Sequence, residues 1–154
     1  MTGVVEAKLA DLGIELPNAA APAANYVPFQ IFGNQLFVSG QLPLVAGGPD
    51  FKGTLGVDID VETAQKAARA CALNILAQAK SALGDLDRIA QCHRLGGFVN
   101  STPDFADHPK VVNGASDFLV EVLGDKGRHT RFAVGVASLP FGVAVEIDAL
   151  LAIE

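Results

Sequence analysis

Arg131, Glu146 and Asp148 put one guanidinium and two carboxylates into a single stretch at the end of the chain, RHTRFAVGVASLPFGVAVEIDALLAIE, residues 128–154. A guanidinium fork matches a carboxylate and grips it with two parallel hydrogen bonds. A carboxylate within hydrogen-bond reach of a water can orient or deprotonate that water for attack on an electrophilic carbon. One fork and one base are therefore enough to capture an anionic substrate and hydrolyse it, provided the backbone brings them together.

The pattern predicts two β-strands, residues 130–138 and 143–151, folded into a hairpin through Leu139-Pro140-Phe141-Gly142, where proline and glycine supply the turn. On the first strand Phe132, Val134 and Val136 alternate with Arg131, Ala133, Gly135 and Ala137; on the second, Val143, Val145, Ile147, Ala149 and Leu151 alternate with Ala144, Glu146, Asp148 and Leu150. A hairpin pairs the two apolar rows and gathers Arg131, Glu146 and Asp148 on the second face, with Glu146 opposite Gly135. Ala133, Gly135 and Ala137 leave shallow, partly dry space beside the arginine, room for another subunit, a small ligand, or both.

On the residues alone, a surface ion pair between Arg131 and Glu146 or Asp148 comes first, and such pairs contribute little. Tyr26 is the only tyrosine of the chain, and a tyrosine at a strand start is most often packing with its hydroxyl satisfied. Ser39 reads as a strand-end residue without a Ser-His-Asp grouping, and Asn113 as a surface residue near a helix start. His93, His108 and His129 have no ligand-like spacing with each other or with Cys71 and Cys92, so no metal is expected. His129, close to Arg131, is a rim residue to watch. Ala46-Gly47-Gly48-Pro49 is a loop and not a phosphate cradle, because no Gly-Lys-Ser/Thr follows it.

The totals narrow the classes. With 154 residues, half of them hydrophobic, the chain suits a single domain spanning residues 1–154. Eleven Lys and Arg against seventeen Asp and Glu give a formal net charge of −6, which repels a phosphate backbone, so nucleic acid is not an expected partner. Two cysteines make no disulfide framework and fit a reducing cytoplasm. No basic leader with an apolar run and no membrane-length stretch is visible, so the expectation is a cytoplasmic protein without a membrane partner.

The elements follow from periodicity and punctuation. Residues 1–25 read as a short helix with Val5, Leu9 and Leu12 at helical spacing, stopped by Gly13, then an extended run with Pro17 and Pro22. Residues 27–32 and 35–41 are strands joined by Gly33-Asn34. Asp60 caps a helix running to Leu83, with Ala64, Ala68, Cys71, Ile75, Ala79 and Leu83 along one stripe and Gly84 as its stop. Residues 88–100 form a third strand, with Gly96-Gly97 a place for a bulge. Pro109 opens a second helix burying Val112, Ala115, Phe118, Leu119 and Val122, stopped by Gly124. After the N-terminal helix the order is β-β-α-β-α-β-β. It predicts an α+β fold of two layers, a mostly antiparallel sheet with two helices on one face. The other face, carrying Arg131, is then left for association into a closed ring.

Arg131 followed by Phe-Ala-Val-Gly-Val-Ala-Ser-Leu-Pro, and then Val145-Glu146-Ile147-Asp148, resembles the C-terminal signature of the reactive-intermediate deaminase (Rid) family, also called YjgF-like or L-PSP endoribonuclease-like. The resemblance runs from Tyr26 to the C-terminus. It implies a fold like the bacillus type of chorismate mutase and a homotrimer with its sheets facing inward and a ligand cleft at each seam. In such a cleft Arg131 grips the carboxylate of an imino or keto acid, Glu146 positions a water, and Tyr26, Ser39, Gly40, Asn113 and Ala133 line the walls. The implied activity is cofactor-free hydrolytic deamination of reactive enamine or imine intermediates of amino-acid-derived acids, as in 2-iminobutanoate/2-iminopropanoate deaminases. A module that only binds or senses a small carboxylate is the alternative, and an endoribonuclease the third. Ala133 stands where many members have cysteine, and the loop at residues 104–109 is longer, which resembles a divergent branch with an N-terminal extension.

Overall fold

The computed structural model describes residues 3–22 and 24–154, so Met1, Thr2 and Ala23 of the predicted N-terminal segment lie outside the described residues. Five strands form one sheet: β1 (Phe29–Phe32), β2 (Gln35–Gln41), β3 (Ile89–Asn100), β4 (Thr130–Val136) and β5 (Val145–Ile153), in the order β1-β2-β5-β3-β4. All pairings are antiparallel except β3 with β4. Helices α2 (Val61–Leu83) and α3 (His108–Leu123) cover one face, and α1 (Val4–Asp11) joins the same core through Val5 and Leu9. The α+β, two-layer expectation holds, and no helix is long and apolar enough to cross a membrane.

Local chemistry sets the boundaries. The Asp60 side chain accepts the Thr63 N–H at 2.8 Å, and Gly84 ends α2 in the left-handed region at φ 76°. The α2 stripe read from the sequence is buried throughout, as is the α3 stripe. Helix α1 has a glycine at its N-cap position and borrows a cap from far along the chain: Asp87 accepts from Val4 N at 2.8 Å and Val5 N at 2.9 Å.

The C-terminal hairpin does not form. β4 and β5 flank β3 on opposite sides, because α3 carries the chain back in a crossover that lays β4 parallel to β3, and the 3-10 turn at Pro140–Gly142 then passes the end of β3 so that β5 fills the gap beside β2. The alternation on each strand is right, but the rows face differently from the hairpin expectation. Arg131, Ala133 and Gly135 pair with Leu95, Gly97 and Val99 on the helix-covered face, while Phe132 and Val134 pair with Gly96 and Phe98 on the open face. Glu146 and Asp148 pair with Phe98 and Gly96, so they share the open face with Phe132 and Val134 and not with Arg131. Glu146 is opposite Phe98, not Gly135.

The Gly96-Gly97 pair is no bulge either. A methyl group on Gly96 would meet Asp148 and the Phe132 ring, and one on Gly97 would meet Val112 at 2.7 Å, so both are sites of close packing. The register shifts of β3 fall earlier, between Ile89 and Gln91 and between Cys92 and Arg94.

Candidate active site

The predicted residues collect into two groups on opposite sides of the sheet. The first lies between edge strand β4 and the start of α3. The Arg131 guanidinium donates to Ser116 Oγ at 3.0 Å and to the Pro109 carbonyl at 3.3 Å. Among the described residues no carboxylate forms an ion pair with it. The surface ion pair with Glu146 or Asp148 is thereby removed, since both carboxylates are on the other face. Two of five N–H donors are used, which leaves three for an anion.

Asn113 belongs to the same wall. Asn113 is four residues after Pro109 and three before Ser116, so the three fall on one stripe of α3. Ala133, packed against the core, is the floor beside Arg131. At the far end Ser101 Oγ and His108 Nε2 stand 3.3 Å apart, and both press on Gly135, where a Cβ would lie 2.6 Å from each.

His129 completes this group. Its Nδ1 lies 2.6 Å from the Gly127 carbonyl, which accepts, so in the neutral ring Nε2 is the acceptor for the Ser116 hydroxyl at 2.8 Å. Ser116 thus accepts from Arg131 and donates to His129, and the guanidinium is oriented through a serine that sequence reasoning did not single out. No motif marks Ser116; its only signal is helical spacing from Asn113.

The second group sits on the open side, where β2 breaks register between Val38 and Gln41. The bulge lifts Ser39 and Gly40 out of the ladder. Ser39 donates from Oγ to the Val27 carbonyl at 2.8 Å and from its backbone to Pro28 at 2.9 Å, tying the bulge to the segment that carries Tyr26. The Glu146 carboxylate rests on the bare α-carbon of Gly40, where a Cβ would collide with Oε2. Partial burial pushes the Glu146 carboxyl above its usual range, and the neighbouring Asp148 charge adds to the shift. Tyr26 and Ser39 line a hollow of about 420 Å³ together with Phe37, Arg94, Asp148 and Leu150.

Thiol chemistry has no place here. Burial pushes the Cys92 thiol up to about 12 and the Cys71 thiol well above its usual value, and Cys71 Sγ contacts the Val145 carbonyl at 3.6 Å.

A family model described as "YjgF/chorismate mutase-like, putative endoribonuclease" matches residues 6–149. The chain belongs to that family. Protein TCP17 of Trypanosoma cruzi is 54% identical over 151 residues, covering 97% of this chain and 94% of its own length. Among solved structures, the Agrobacterium tumefaciens protein Atu1372, of unknown function, shares 53% identity at a TM-score of 0.91, covering 98% of this chain and 93% of that one. E. coli TdcF, solved with bound serine, shares 26% identity at a TM-score of 0.60, covering 90% of this chain and 93% of its own. Membership in the YjgF-like family accounts for the fold.

Proposed function

We propose that the protein hydrolyses reactive enamine or imine intermediates of amino-acid-derived carboxylic acids to keto acids and ammonia, without a cofactor, in a cleft shared between subunits of a homotrimer. The observation that carries this reading is the division of the site. Arg131, Asn113 and Ala133 form an anion-binding half on one side of the sheet, and Tyr26, Ser39, Gly40 and Glu146 form a half with a base on the other. Each half lacks what the other has, and a second copy supplies it.

The open face fits such an assembly. Phe32 is 79% exposed, Phe37 44% and Val134 42%, and the Phe98 and Phe132 rings meet edge to face at 5.3 Å between centroids. Aromatic surface in that amount belongs at an interface. Packing against a neighbour buries it and brings one chain's β4 edge to the next chain's β2 bulge.

In the reaction the substrate carboxylate takes the free donors of Arg131, held by Ser116 and the Pro109 carbonyl. Glu146 accepts a proton from a water whose oxygen attacks the imine carbon. With the imine protonated, attack gives an amino alcohol; Glu146 returns its proton to the nitrogen and takes the hydroxyl proton as the C–N bond breaks, so ammonia leaves and a keto acid remains. Partial burial and the Asp148 charge raise the Glu146 carboxyl above its usual range, which makes its carboxylate a stronger base toward that water. The demand is modest, since positioning of one water against a reactive imine accounts for most of the rate. Bound serine in TdcF, a small amino acid with the same carboxylate, supports a ligand of this class.

The test is ammonia release from freshly generated 2-iminopropionate or 2-iminobutyrate by wild type and Arg131→Ala. Release that depends on Arg131 supports the enzyme. Tight keto-acid binding without release means a carboxylate sensor, and salt-sensitive RNA cleavage that survives repurification means a ribonuclease, which the net charge of −6 opposes.

A further inference from the structure

The turn between β4 and β5 carries a residue its chemistry does not explain. Phe141 adopts φ 58°, ψ 13°, a left-handed conformation that glycine or asparagine takes at little cost, and the residue is 66% exposed. Strained backbone of this kind concentrates at ligand sites. The Phe141 ring forms one wall of a cavity of about 180 Å³, closed on the other sides by Ala21 and Pro22 of the N-terminal segment, by Tyr26, and by Leu42 and Leu44.

The cavity is mostly apolar. Its two amides are occupied with the backbone: Gln41 donates to the Ser39 carbonyl at 3.0 Å, and Asn74 donates to the Leu42 and Leu44 carbonyls at 2.8 and 3.0 Å. What remains for a guest is mostly alkyl and aromatic surface. It also adjoins the base-carrying half of the site, because Tyr26 lines both this cavity and the larger hollow, and Gly40 lines it while supporting Glu146.

We propose that this cavity is the side-chain pocket of the cleft and that it selects carboxylates bearing a bulky apolar side chain, as derived from leucine or phenylalanine, over those bearing a methyl or ethyl group. The inference rests on the deaminase reading and adds the substrate class. An apolar cavity of about 150 Å³ holds benzene, so the volume here admits a group of about six carbons. A methyl group leaves most of it unfilled, and each methylene in an apolar pocket is worth about 10- to 200-fold in discrimination.

The experiment compares kcat/KM for ammonia release from imines generated in place from alanine, leucine and phenylalanine by an amino-acid oxidase, with titration of the matching keto acids. Wild type is expected to prefer the leucine- or phenylalanine-derived imine over the alanine-derived one by at least about tenfold. Ala21→Phe, which fills the cavity from an exposed position, and Phe141→Ala, which removes a wall, are each expected to reduce that ratio severalfold; circular dichroism and Tm report whether the variants fold. Equal rates on all three imines, a preference for the alanine-derived one, or a ratio unmoved in folded Ala21→Phe overturn the pocket assignment while leaving the deaminase reading intact. No release from any imine together with no keto-acid binding overturns both.

Discussion

Arg131 and Glu146 stand on opposite faces of one sheet. Arg131 pairs in register with Leu95 and turns to α3, whereas Glu146 pairs with Phe98 and lies on the open side against Gly40. A fork and a base separated by their own sheet serve one substrate only when a neighbouring chain closes the gap.

Replacing Arg131 by lysine keeps the charge and loses the planar fork, including the paired bonds to Ser116 and Pro109. Affinity for a keto acid, measured by calorimetric titration, is expected to fall by about tenfold or more, on the order of 1.4 kcal/mol. Ser116→Ala is expected to weaken binding less, because it loosens the guanidinium without removing it; unchanged affinity in both variants means that the anion binds elsewhere.

Glu146→Gln is expected to bind keto acid normally and to lose about 10²- to 10⁴-fold in kcat. In wild type the base acts when ionised, so kcat rises with pH through a limb displaced above 4.5, the ordinary glutamate value, in the direction set by burial and by Asp148. The sign for stability is the reverse. Folding favours the neutral form of a carboxyl whose pKa is raised, so this contribution is full below the ordinary value and fades as pH climbs through the folded one. A pH profile identical in Glu146→Gln removes the residue from the reaction.

Gly40→Ala places a methyl group where the Glu146 carboxylate lies. The backbone itself is ordinary there, so the expected result is a folded protein with a displaced Glu146 and kcat reduced at least tenfold. Full activity in this variant contradicts the packing of Glu146 on Gly40.

Asp87 holds α1 by accepting from Val4 and Val5, and those two bonds pull its carboxyl below the ordinary value of 3.8. The stabilisation is present above that value and is lost as pH falls through the depressed one. Asp87→Ala is expected to speed hydrogen exchange of the α1 amides while α2 stays protected; uniform protection in both helices means that the cap is not what holds α1.

Aromatic exposure predicts the assembly state. Phe37→Asp, at a strand position 44% exposed, is expected to shift the protein from trimer to monomer in sedimentation, because a stable interface needs on the order of 1,000 Å² of well-packed surface. A wild type that sediments as a monomer at micromolar concentration contradicts the shared cleft.

Where punctuation was local, the chain was readable in advance. Asp60, Gly84, Pro109 and Gly124 placed two helices, Gly33-Asn34 placed the tight turn between β1 and β2, and alternation marked β4 and β5. Strand pairing was not readable. Thr130–Val136 and Val145–Ile153 have the alternation and turn of a hairpin, and only the crossover through α3, a long-range relation, separates them with β3. That one error put Arg131 on the wrong face and made a surface ion pair plausible. Ser116, the borrowed cap from Asp87 and the Gly40–Glu146 contact depend on residues far apart in sequence, and no spacing rule reaches them.

Mixing two inactive variants tests the shared cleft most directly. Arg131→Ala and Glu146→Gln are purified separately, unfolded and refolded together in equal amounts, and ammonia release from 2-iminobutyrate is measured. In a ring where each site takes Arg131 from one chain and Glu146 from the next, about a quarter of sites regain both residues under random assortment, so the mixture recovers about a quarter of wild-type activity. A mixture as inactive as its components, beside an active wild type refolded in the same way, contradicts the account.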